Sequence, residues 1–193
     1  MKKIYLSLIV LLSVFKTFSQ NVGYIITIHN DTIYCAKVKA VFIGGGARYK
    51  IKNSDDFKRI SADSIKEYQL SNDSSTYRAV ALKPGADPFF LQLVTRGSIC
   101  LYVMYTTTYS GTTTTTTTTD WYVSKNNAPV IMLKTNGINL FAPSHDDRKA
   151  ALANLFADDP QVLAAYKADD SFSFKTIKKY VQQYNHDALA QGK

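Results

Sequence analysis

Apolar and polar positions alternate with a period of two from about residue 23 to residue 134, and a 3.6-residue period takes over at Ser144. The alternating part opens on Gly23-Tyr24-Ile25-Ile26-Thr27-Ile28-His29 and Thr32-Ile33-Tyr34-Cys35, which flank Asn30-Asp31. Asn and Asp tolerate the positive φ of a two-residue turn, so this stretch predicts a β-hairpin. With that turn, Ile28 faces Ile33 and Ile26 faces Cys35, and cross-strand partners share a face. Ile26, Ile28, Ile33 and Cys35 then form the apolar face, and Thr27, His29, Thr32 and Tyr34 the polar one. The second strand is expected to run to about Ile43, where Gly44-Gly45-Gly46 breaks it. Short strands follow over residues 48–52, 57–60, 65–70 and 76–82, with a helix start at Ser61 or Asp63 competing with the strand at 65–70. Asn53-Ser54-Asp55-Asp56, Ser61-Ala62-Asp63-Ser64 and Ser71-Asn72-Asp73-Ser74-Ser75 turn the chain between them.

Residues 89–94 and 98–105 predict a second hairpin about Thr95-Arg96-Gly97, and their apolar content places them centrally in the sheet. Residues 106–119 are nearly all threonine. Threonine favours strands, but a run with almost no apolar residues has no face to bury, which predicts a long mobile loop. Residues 121–125 and 130–134 make the last hairpin around Asn126-Asn127-Ala128-Pro129. Past Ser144 three helices are expected. Ser144 caps the first, with Asp146 and Asp147 in its opening turn. Asp158-Asp159-Pro160 ends it and starts the second. The third carries Phe174, Ile177, Val181 and Tyr184 on one stripe. The fold class is therefore α+β: an antiparallel β-sandwich or partly open β-barrel over residues 21–142, followed by a short helical segment, residues 143–193, packed on it.

Residues 1–20 stand outside this pattern. Met1-Lys2-Lys3 is basic, residues 4–14 are mostly apolar, and Thr17-Phe18-Ser19-Gln20 is small and polar apart from Phe18. This is the layout of a secretory signal peptide, and the apolar run is short of the roughly 20 residues a membrane span needs. Export to the periplasm, the outer membrane or the medium is expected. The formal charge of +8 falls to +5 when Lys2, Lys3 and Lys16 leave with the signal. The remaining basic residues are scattered, which points to a solvated surface with weak contact to anionic membrane surfaces at most, and not to nucleic acid. Export also permits a bond between Cys35 and Cys100; the alternative is two small buried thiols.

Four places resemble an uncharacterised family of small secreted Bacteroidota proteins. They are the signal ending Phe18-Ser19-Gln20, the hairpin from Gly23-Tyr24 to Asp31-Thr32-Ile33, the stretch Leu93-Val94-Thr95-Arg96-Gly97 with Leu101-Tyr102, and Leu155-Phe156-Ala157-Asp158-Asp159-Pro160 with Tyr184-Asn185. The chain departs from the family's pattern at Asn30 and at Cys35-Ala36, where glycine is usual. The resemblance implies export and a β-then-α layout, and it carries no catalytic residues. Asp31-Thr32-Ile33 and Asp63-Ser64-Ile65 also look like the acceptor motif for O-glycosylation in such proteins, which makes Thr32 and Ser64 candidates.

Catalytic signals are sparse. There is no Gly-x-Ser-x-Gly, no phosphate loop, and no zinc spacing among His29, His145, His186 and the two cysteines. Glu67 is the single glutamate. No catalytic, cofactor or metal residues are assigned. Tyr105, Tyr109, Trp121 and Tyr122 flank the threonine run and are the candidate ligand surface, because sugar rings stack on aromatics. Three classes of function follow. The first is an exported, non-catalytic binding or scaffolding protein whose partner is an envelope protein or a glycan. The second is a secreted hydrolase using turn aspartates and His29. The third is a basic protein of anionic membrane surfaces.

Overall fold

The computed structural model describes residues 22–41, 46–110, 114–137 and 143–190. The expected signal peptide lies outside them. Eleven strands form two antiparallel sheets. The strands are β1 (Gly23–Thr27), β2 (Thr32–Cys35), β3 (Lys37–Ala40), β4 (Ala47–Lys50), β5 (Lys58–Ile60), β6 (Ile65–Gln69), β7 (Thr76–Val80), β8 (Phe89–Thr95), β9 (Ile99–Ser110), β10 (Thr114–Lys125) and β11 (Ile131–Thr135). Three helices follow: α1 (His145–Leu155), α2 (Pro160–Ala168) and α3 (Phe174–Ala190). The fold is α+β. The large sheet has the order β11-β10-β9-β8-β7-β6-β1-β2 and does not close, and the small one is β3-β4-β5. No helix among the described residues is long and apolar enough to cross a membrane.

Cross-strand pairing fixes two faces. Ile25, Tyr68, Tyr77, Gln92, Val103 and Trp121 lie in one row across six strands. The small sheet covers this face at the β1–β6–β7 end, where Val38 and Ala47 pack with Ile25, Cys35, Ile65 and Tyr68. That approach requires Gly23, whose absent Cβ would sit 2.7 Å from the Val38 side chain. The helices cover the same face at the other end. There Leu152, Phe156, Tyr166, Ile177 and Val181 bury Ile99, Leu101, Val123 and Leu133. The next row, Ile26, Glu67, Arg78 and Leu91, points to the opposite face. A third cluster lies on that side: Leu91, Cys100, Tyr102, Tyr122, Val80 and Val130.

The helices begin as their sequence dictates. Ser144 and Asp147 close a capping box, and Asp159 caps α2 with Pro160 in its first turn. Of the predicted stripe on α3, Ile177, Val181 and Tyr184 are buried, and Phe174 is half-buried against Trp121.

Three expectations need correction. The first hairpin has a three-residue turn, Ile28-His29-Asn30, in place of the two-residue Asn30-Asp31. Thr27 N donates to Asp31 O (2.9 Å), Asn30 N donates to Thr27 O (3.0 Å), and Asn30 takes a left-handed φ of 68°. The Thr27 hydroxyl also accepts from the His29 and Asp31 amides. Ile25 therefore pairs with Ile33, and Gly23 with Cys35. An odd register change turns one strand over relative to the other, so Ile25 is the core residue and Ile28 is 46% exposed. Secondly, the strand expected from Thr32 to Ile43 is two strands. The chain leaves the large sheet at Ala36 and enters the small one at Lys37. Thirdly, the threonine run is not a loop over residues 106–110 and 114–119. It extends β9 and β10, with Thr106 opposite Thr118 and Thr108 opposite Thr116. The ladder started at Val103 and Trp121 continues outward, and its backbone groups satisfy one another without burial of a face. Beyond Val103 and before Asp120 these strands pair only with each other, as a two-stranded ribbon with exposed threonines.

Candidate functional site

Glu67 lies on the face of β6 opposite Tyr68 and is 2% exposed. Four separate parts of the chain meet there. Arg78 is its cross-strand partner on β7 and places Nε (3.1 Å) and Nη2 (3.0 Å) on Oε2. Tyr24 on β1 donates its hydroxyl to Oε1 at 2.7 Å. Arg96, in the β8–β9 connection, donates from Nη2 to the same oxygen at 2.5 Å. The remaining Arg78 nitrogen, Nη1, lies 3.2 Å from Cys100 Sγ. Burial alone would raise the Glu67 pKa. Hydrogen bonds from Arg96 and Tyr24 and the two guanidinium charges outweigh it, and the net shift is downward. Burial, and then the Glu67 carboxylate, raises the Tyr24 pKa. The cluster is thus an ionised carboxylate with a neutral phenol and two cations.

Glu67, Arg78 and Arg96 line a cleft of about 600 Å³, whose lining also includes Ile26, Ile28, Asp63, Lys66 and Pro88. Lys66 Nζ donates to Asn30 Oδ1 at 2.7 Å, which ties the hairpin turn to the rim. Ser61 and Ser64 donate their hydroxyls to the Asp63 carboxylate. A second groove of about 680 Å³ lies beside it, with Tyr68, Tyr77, Phe90 and Met104 in its lining.

The joint between sheet and helices is polar as well. Asn185 on α3 is buried, accepts from Ile99 N (2.9 Å) and donates to Ile99 O (2.7 Å) and Arg96 O (3.4 Å). Gly97 makes room for it, since a Cβ there would sit 2.2 Å from the Asn185 amide carbon. Nearby, Lys125 donates to Asp158 (2.6 Å) and to the last-turn carbonyl of Leu155 (2.8 Å), and Tyr184 donates to Asp158 (2.9 Å).

The residues expected to form a ligand surface are dispersed. Tyr105 is 61% exposed at the base of the ribbon. Trp121 is half-buried under α3, its ring tilted against Phe174 with centroids 4.6 Å apart. Tyr122, the next residue, points to the other face and is buried beside Tyr102. The Tyr109 backbone pairs with Thr115 in the ribbon. Alternation separates Trp121 from Tyr122, and helix packing takes Trp121 into the core. The candidate disulfide is not formed either: Cys35 and Cys100 are free and buried in different clusters, the first under the small sheet and the second on the opposite face. Burial pushes the Cys35 thiol up to about 11, far from a reactive thiolate. Thr32 is exposed at the start of β2, and Ser64 is half-buried with its hydroxyl on Asp63.

The histidines do not approach Glu67. His29 is exposed on the hairpin turn, His145 pairs with Asp146 and packs edge-on to Phe172, and His186 pairs with Asp187. Among the described residues no three His, Cys, Asp or Glu side chains gather as a metal site would need. Arg78 and Arg96 carry no sequence motif for this role. The local signal is confined to Glu67, the single glutamate, within the alternating residues 65–70. Comparison with protein families, with curated proteins and with solved structures finds no match to this chain.

Proposed function

We propose that this chain is an exported envelope protein acting as a non-catalytic binding module. One observation carries the reading. Both oxygens of Glu67 are engaged by Tyr24, Arg78 and Arg96, so the carboxylate holds two guanidinium groups at the wall of a cleft. A general base needs a free lone pair within reach of a proton to be abstracted. A carboxylate already bound by two guanidinium groups and a phenol is instead a rigid support, which favours recognition through pre-organisation. Export follows from the basic and apolar residues 1–20.

Cross-linked capture from the native envelope tests the reading. Wild-type protein is expected to retain a discrete envelope protein or glycan, and Arg96→Ala to lose it. Turnover of glycan or peptide substrates by pure protein, abolished in a folded Glu67→Gln variant, would overturn it.

A further inference from the structure

We infer that the Glu67 cleft binds the anionic head of a small amphiphile, a carboxylate or phosphate attached to an apolar chain; this rests on the binding-module reading and names its ligand class. The two arginines are not equivalent. Arg78 commits Nε and Nη2 to Glu67 and Nη1 to Cys100. Arg96 commits only Nη2, and its side chain is 51% exposed. Its Nε and Nη1 have no hydrogen-bond partner among the described residues. Glu67 thus fixes the Arg96 guanidinium at Nη2 and leaves the Nε and Nη1 donors, which lie on different edges of the plane, available. A carboxylate or phosphate oxygen can accept from Nε or from Nη1, and charge assistance makes such a bond stronger than a neutral one.

Charge agrees with this assignment. Lys66, Arg78 and Arg96 share the lining with Glu67 and Asp63, which leaves one positive charge. One oxygen of Asp63, Oδ1, accepts from both the Ser61 and Ser64 hydroxyls. The rest of the lining suits an apolar chain. Ile26 and Pro88 form part of it, and Ile28 stands 46% exposed at the hairpin turn, where solvent alone gives an isoleucine no favourable contact. An apolar surface beside a half-engaged guanidinium is the lining an amphiphile requires.

The test is a titration of the folded protein followed by amide and arginine Nε NMR signals. The probes are decanoate, octyl glucoside as a neutral amphiphile, inorganic phosphate, and vesicles of phosphatidylglycerol or phosphatidylcholine. Decanoate is expected to shift Ile26, Ile28 and Arg96 saturably, and phosphate to compete for the Arg96 signal. Arg96→Gln should weaken decanoate about tenfold or more, the loss of one charge-assisted hydrogen bond. Lys66→Gln should weaken it less. Binding to phosphatidylglycerol vesicles, lost in Arg96→Gln while soluble decanoate binds poorly, supports the same head-group chemistry and identifies a membrane source. If Arg96→Gln fails to fold, Arg96→Lys keeps the charge at Glu67 but not the additional guanidinium donors, and intermediate affinity is expected. Octyl glucoside binding as tightly as decanoate overturns the anionic assignment and leaves the binding-module reading intact. Unchanged decanoate affinity in folded Arg96→Gln, or no response to any probe, overturns the inference, while envelope capture decides the module reading separately.

Discussion

At the β6–β7 end of the sheet the buried polar group is a carboxylate, Glu67, held by two guanidinium groups and a phenol. At the β9–β11 end it is a neutral amide, Asn185, whose oxygen and nitrogen complete the hydrogen bonds of Ile99. A buried charge has to be met by opposite charge, because desolvation costs several kcal/mol per ion, in order of magnitude. A buried amide needs only donors and acceptors in the right places. The first arrangement responds to pH and to any change of charge, and the second responds only to geometry. Arg96 belongs to both: its guanidinium serves Glu67 and its carbonyl accepts from Asn185. The turn at Arg96-Gly97 is therefore where the helical segment and the ionic cluster are joined. A third polar contact, Lys125–Asp158–Tyr184, uses similar groups at the surface, where the Asp158 side chain is 48% exposed and water screens it.

Removing the charge separates the two ends most sharply. Glu67→Ala leaves Arg78 and Arg96 without their counter-ion, and a loss of about 3–5 kcal/mol in urea unfolding is expected. A loss under about 1 kcal/mol would mean that water reaches the cluster and the carboxylate is not a buried anchor. Asn185→Ala leaves the Ile99 amide and carbonyl unpaired beside Gly97, and about 1–3 kcal/mol is expected. Hydrogen exchange should quicken first at Ile99 and along α3. Unchanged protection there would show that α3 is held by its apolar stripe alone.

Acid distinguishes the ends next. The Glu67 pKa is lowered in the fold, so its contribution is complete above its ordinary value of 4.5 and is lost as pH falls through the lower folded value. Thermal midpoints should drop on acidification below that value. In Glu67→Gln this drop should be shallower, whereas in Asn185→Ala it should keep the wild-type slope. Equal slopes in all three proteins would remove Glu67 from the acid response. The smallest effect belongs to Asp158→Asn. Lys125 lowers the Asp158 pKa, but the Asp158 side chain is half in water, and below about 1 kcal/mol is expected, shrinking further in high salt. A salt-insensitive loss of several kcal/mol would make this contact a second buried centre.

Much of the fold is legible in local pattern. Period-two alternation and turn residues locate most strands, and the Ser144 and Asp159-Pro160 signals locate the starts of α1 and α2. Glu67 is visible as the single glutamate of an alternating strand. Its partners are not, because Tyr24, Arg78 and Arg96 lie 43, 11 and 29 positions away and meet it only through strand order. The four aromatics are dispersed by alternation and packing. Trp121 and Tyr122 are neighbours in the chain, yet their strand turns them to opposite faces, and only helix packing decides that the tryptophan is covered.

Sequence alone determined the α+β class, because alternation, turn formers and helix caps act over a few residues and need no distant partner. The tertiary structure decided register, sheet membership and the site. A three-residue turn at Ile28-His29-Asn30 put Ile25 in the core in place of Ile26 and Ile28, since in a strand one position is the difference between two faces. The threonine run became a ribbon because Val103 and Trp121 had already set the ladder from which it extends. Glu67 became a buried ion pair because strand order brought two arginines to it, and that order depends on contacts the chain makes only once it has folded.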